Sequence, residues 1–107
     1  MIDVENQRLF ELDDFPATLA ASLPPKIRKS IENFVWYGIP PGGFVHAVLS
    51  NDLLDAVFRA DANSSAAIGV ICLYVHNAVP SVCHGSREAV AAHIERGHKV
   101  RDDKQKE

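Results

Sequence analysis

Cys72 and His76 stand four residues apart, Cys83 and His84 are adjacent, and His93 follows on the next segment. Thiolates and imidazoles are zinc's preferred ligands, and a cysteine beside an imidazole is the beginning of a covalent catalyst. The pattern stops short of both. Cys72 lies inside an uncharged run, where a free cysteine behaves as a small hydrophobe, and no C-x-x-C pair accompanies it. No oxyanion arrangement is legible around Cys83 with His84, His76 or His93 as its base. Asp52, Asp55 and Asp61 are candidate acid–base groups, yet their spacing matches no recognised carboxylate constellation. Asp52 falls in a first helical turn, where a carboxylate is favoured electrostatically without any catalytic role. The expectation is a non-enzyme, with no catalytic residue, no metal and no cofactor.

Binding chemistry is better represented. "YGIPPGGFVHAVLSNDL", from Tyr37 to Leu53, sets two prolines and two glycines between apolar segments. A helix starting at Gly42 or Gly43 offers unpaired amides to a ligand, and its dipole favours phosphate or carboxylate. Phe44 follows at once, and Asn51 stands where the next helix needs a cap. "CHGS", ending in Gly85 and Ser86, sets up a second helix start of the same kind. Arg59 and Arg87 are isolated guanidiniums able to grip a phosphate bidentately. Trp36 and Tyr37 form the one adjacent aromatic pair, at a helix end where a base can stack. These positions make up a candidate site for a small phosphorylated or nucleotide-like ligand. Each also has a plainer reading as helix corner, core anchor, packing across the corner, or surface charge. The corner is neither a P-loop, which needs Gly-Lys-Ser/Thr, nor a dinucleotide fingerprint, which needs a preceding strand.

Helices must position these groups. Pro25 suits a first helical position, and Ile27, Ile31, Phe34 and Val35 recur at helical spacing until Gly38 stops the run. A short apolar helix is predicted over about 43–49. The next, capped by Ser50 or Asn51, carries Leu53, Leu54, Val57 and Phe58 on one side. "ADANSS" breaks the period, with Asn63 or Ser64 as a cap. "AAIGVICLYV", residues 66–75, holds ten apolar or small residues without a charge. Val, Ile and Cys favour a strand there; length and the Ala-rich start favour a buried helix ending before Pro80, and helix is the reading adopted. Ser86 caps a last helix whose inner face is Ala89, Val90, His93 and Ile94, stopped by Gly97. The class is all-α: a compact bundle of about five helices.

The chain of 107 residues is one domain by length, with a modest core. Its formal net charge of -3 gives no field that would attract nucleic acid, and no Arg-rich recognition helix is present. Residues 1–23 form an acidic arm of net -4, residues 24–97 a neutral helical domain, and residues 98–107 a polar tail expected to fray. No run reaches the roughly 18 apolar residues that span a bilayer, and the acidic start is unlike a signal peptide. Cys72 and Cys83 are then expected as reduced thiols in a cytoplasm. "AAIGVICLYV" has more apolar perimeter than so small a bundle readily covers, which predicts a homo-oligomer.

Taken together, "YGIPPGGFVHAVLSNDLLDAVFRAD" and "YVHNAVPSVCHGSREAV" resemble a group of small tailed-phage and prophage proteins. The shared pattern runs through Gly38–Phe44, Ala47–Leu53, Arg59–Asp61 and Tyr74–Ser86 and covers about residues 31–95. The chain departs from it at His84, where members often carry Trp, and in its acidic N-terminal extension. The resemblance implies a helical fold and a phage or prophage origin; combined with the cytoplasmic expectation above, the cytoplasm is that of a host. It supplies no activity. Small phage proteins often counter host defence by sequestering a nucleotide signal or by binding a host protein. The leading reading is thus a non-enzymatic, oligomeric ligand-binding protein. The alternative is a protein-interaction module that inhibits a host enzyme or defence protein, and the third is a small hydrolase or metal enzyme.

Overall fold

A computed structural model of the protein describes residues 8–105. Its order is α1 (Ala17–Ala20), α2 (Pro25–Tyr37), α3 (Gly43–Leu49), α4 (Leu53–Arg59), α5 (Ala62–Ala66), α6 (Ile68–Ala78), a 3-10 turn (Ser81–Cys83) and α7 (Arg87–Gln105). No strand occurs among the described residues, so the all-α class holds, with seven helices where about five were expected. The additional ones are the short α1 and α5. Residues 66–75, ambiguous between strand and helix, are helical almost throughout.

Local chemistry accounts for the boundaries. Pro25 opens α2, and Gly38 closes it with φ 66°, a left-handed conformation that glycine adopts without strain. The caps after α3 differ from those expected. Asp52 caps α4 by accepting from the Asp55 amide at 3.1 Å, and Asp61 caps α5 by accepting from the Ser64 amide at 2.7 Å. Carboxylates there also complement the helix dipole, so they win over the neighbouring Ser and Asn. Both sit below the ordinary carboxylate pKa, held there chiefly by the backbone amides they accept from. Ser86 caps α7 as expected, accepting from Ala89 at 3.1 Å.

The core gathers Ile31, Phe34 and Val35 of α2, Val45 and Leu49 of α3, Ile71, Tyr74 and Val75 of α6, and Val90 of α7. Two expected boundaries move. The acidic arm is not separate where it is described. Phe10, Leu12 and Phe15 pack on the core, Ala20 and Leu23 belong to it, and the Asp13 amide donates to the Ala78 carbonyl at 2.8 Å. Its first seven residues, Asp3 and Glu5 among them, lie outside the described residues. Nor does Gly97 stop the last helix. α7 runs through Gly97 to Gln105, because the glycine meets the end of α2 rather than a turn, so the expected tail is helical as far as it is described.

α4 departs furthest from its sequence pattern. Its apolar residues share one side, as the spacing predicts, but that side faces outward: Leu53, Leu54, Val57 and Phe58 are all exposed and Ala56 alone is buried. The uncharged run of α6, by contrast, is largely covered, with Leu73 its one large exposed side chain.

Candidate functional site

The candidate residues separate into two groups along α7. Trp36 and Tyr37 end α2, where Gly38 abuts Gly97 and the Tyr37 carbonyl accepts from Arg101 at 2.6 Å. The Arg8 guanidinium lies 3.8 Å from the centroid of the Trp36 ring, and the Leu9 amide donates to the Trp36 carbonyl at 2.7 Å. One face of the indole is thus already stacked. Ten residues of helix separate Gly97 from Arg87, about 15 Å at the α-helical rise. The aromatic pair therefore does not join the arginines.

Gly43, Asn51, Arg59, Gly85, Ser86 and Arg87 do come together, at the start of α7. Arg59 lies over Gly43 so closely that a Cβ there would be 2.8 Å from its Nη1. Arg59 Nε donates to Asp55 at 3.0 Å, and Arg87 Nη2 donates to Asp52 at 2.8 Å. Arg87 also approaches Asp55 at 4.0 Å, which closes a four-member charge cluster joining α4 to α7. Phe44 is partly buried and packs against the core, while Gly42 is exposed and extended. α3 is only seven residues long, so its amides and dipole make no anion site without other groups.

A cleft of about 240 Å³ opens beside the charge cluster, lined by Val48, Asn51, Cys72, Val75, His76, His84 and Gly85. Asn51 takes φ 63° there, a conformation asparagine tolerates better than most residues. The Gly85 amide donates to the Leu49 carbonyl at 2.7 Å and fixes the "CHGS" loop against the end of α3. Asn51 precedes Asp52 and Gly85 lies two residues before Arg87, so the cleft wall passes directly into the Asp52–Arg87 pair. Burial holds His84 below the ordinary imidazole pKa, with His76 acting in the same direction. The cleft therefore offers two imidazoles, an amide and apolar walls, with the Asp52–Arg87 pair adjoining it.

The sequence suggests zinc or catalytic roles for His76, His84 and Cys72, a small-hydrophobe role for Cys72 and a Trp-replacing position for His84, but not a shared binding cleft. The i, i+4 spacing of Cys72 and His76 was the available signal that both share one face of α6. Among the described residues no three His, Cys, Asp or Glu side chains form a group that could hold a metal ion. Both thiols are held above their ordinary pKa by burial. His93 lies on the inner face of α7, as its spacing predicts. It is fully buried, with Nε2 donating to the Phe34 and Val35 carbonyls at 2.8 and 3.1 Å.

No protein-family model matches the chain, and no curated protein and no solved structure matches it. No helix among the described residues is long and apolar enough to cross a membrane.

Proposed function

We propose that this is a small non-enzymatic binding protein that holds a phosphorylated, nucleotide-like ligand at the junction of the cleft and the arginine cluster. The observation that carries the reading is that Asn51, His76 and His84 line one cleft whose wall continues into Arg87 and Asp52. A planar polar group fits between the imidazoles and the amide, which present both donors and acceptors. The anionic part then meets Arg59 and Arg87. Their present partners are exposed carboxylates, and exposed ion pairs contribute only about 0–1 kcal/mol. A phosphate offering bidentate, charge-assisted bonds displaces them.

The way the reactive groups are used supports binding without turnover. The two thiols are shifted toward their neutral form, and His93 is committed to backbone carbonyls. With the tailed-phage resemblance, the reading becomes sequestration of a nucleotide-type signal in a host cytoplasm, as a counter-defence protein does.

Titration calorimetry with a panel of nucleoside phosphates and cyclic dinucleotides tests this. Arg59→Ala and Arg87→Ala are expected to weaken a bound nucleotide by about 1.5–3 kcal/mol each. His84→Ala should weaken it while sparing affinity for inorganic phosphate, and chromatography should recover the ligand unchanged. Equal affinity across the three variants, or a cleaved product, would overturn the reading.

A further inference from the structure

α4 is an amphipathic helix turned outward. At 100° per residue, Leu53, Val57, Leu54 and Phe58 occupy a continuous arc of about 140°, as wide as the stripe by which a helix normally faces its core. Only Ala56 points inward. Leu53 and Val57 are 56% and 53% exposed, and Leu54 and Phe58 are 81% and 90% exposed. Such exposure amounts to roughly 450 Å² of apolar side chain, at about 160 Å² for each large side chain. That is within the range of the largest patches on monomers, which are often functional. It is also more than half of the roughly 800 Å² that each partner contributes to a standard interface.

The charges beside this stripe identify its occupant. Asp55 and Arg59 lie one turn apart along a single edge, and the opposite edge is Leu53 and Val57. Consider two such helices face to face, related by a twofold axis running across them. Each edge then meets its own copy in reverse order. Asp55 faces the second copy's Arg59, Arg59 faces the second copy's Asp55, and Leu54 packs against the second copy's Phe58. A parallel pairing would instead set the charged edge against Leu53 and Val57. The patch is therefore complementary to itself in one arrangement, which is what an isologous dimer requires.

We propose that α4 is the interface of an antiparallel homodimer, with its outward face, opposite Ala56 and centred on Leu54 and Phe58, closed by a second copy of this chain. Arg87 and Asp52 lie at the rim, so dimerisation places the arginine clusters of the two copies on either side of the paired helices. The interface forms without ligand, and so stands or falls apart from the binding reading.

Sedimentation velocity on the unliganded full chain tests it. The wild type should be dimeric at about 50 µM and begin to dissociate near 1 µM, within the range open to interfaces of modest area. Phe58→Asp and Leu54→Lys should each be monomeric with an unchanged helical circular dichroism spectrum, since neither side chain belongs to the core. Asp55→Arg should weaken the dimer at least tenfold, and the exchange Asp55→Arg/Arg59→Asp should restore it. A monomeric wild type at about 100 µM would overturn the proposal, including the case where another protein occupies the face. So would a dimer that survives Phe58→Asp, or a charge exchange that behaves like the single reversal.

Discussion

Gly97→Ala is expected to lower the melting temperature by roughly 10–20 °C, a loss of about 2–3 kcal/mol in a domain of this size. Mid-helix glycine is ordinarily a weakness, and replacing it with alanine gains up to about 1 kcal/mol. Here the sign reverses. A Cβ on Gly97 would overlap the Tyr37 carbonyl oxygen and come within 2.7 Å of the Gly38 Cα. Both obstacles are backbone, at the left-handed turn that ends α2, so neither yields by a rotamer change. Relief requires α2 and α7 to move apart, which loosens the packing of Phe34 against His93, 4.8 Å apart between ring centroids. Gly69→Ala is the control, because a Cβ there meets nothing within 4 Å. Thermal unfolding should show Gly69→Ala unchanged or slightly stabilised while Gly97→Ala falls. Similar melting temperatures for the two would mean that the crossing is not close-packed.

The contrast between these glycines marks what was legible beforehand. Gly38 after a periodic run reads correctly as a helix stop, because stopping is a local property of backbone and φ. Gly97 after an equally good run does not stop its helix, because it permits a contact with a segment some sixty residues earlier. The same division runs through α4. Its pattern of Leu53, Leu54, Val57 and Phe58 identifies an amphipathic helix but says nothing of what the apolar side faces. Within one chain the natural assumption is the core, and Ala56, the residue that does face it, has too small a side chain to signal its role. The binding residues divide likewise. Asn51 and Gly85 share a cleft, whereas Trp36 and Tyr37, adjacent in sequence to the glycine corner, are committed to Arg8 and Arg101. His76 and His84 were visible as residue types, but only the folding of α6 against the "CHGS" loop places both on that cleft.

His93 should prove the most sensitive polar side chain in the core. Nε2 donates to two carbonyls at the end of α2, so Nδ1 is the bare nitrogen. It accepts from Arg96 at 3.1 Å and lies 3.6 Å from the Cys83 sulfur. Protonating Nδ1 would remove an acceptor and set a cation against Arg96. Burial first, and Arg96 in the same direction, hold His93 below the ordinary imidazole pKa. The unfolded chain therefore takes up a proton near pH 6.5 that the folded chain refuses. The contribution of His93 is fully present above about pH 6.5 and is lost as pH falls through its depressed folded value. His84, also held low by burial, adds to the same window, whereas the Asp52 and Asp61 caps act only in the carboxylate range below it. His93→Ala should cost about 3 kcal/mol at pH 7.5, from the vacated ring volume and the carbonyl partner lost. His93→Gln keeps a donor toward α2 without a titrating group. It should lose less at pH 7.5, and its stability should fall less steeply than the wild type's from pH 7 to 5. Urea unfolding across that range measures the difference. A His93→Gln variant with the full wild-type pH dependence would assign the acid sensitivity elsewhere, with His84 the next group to replace.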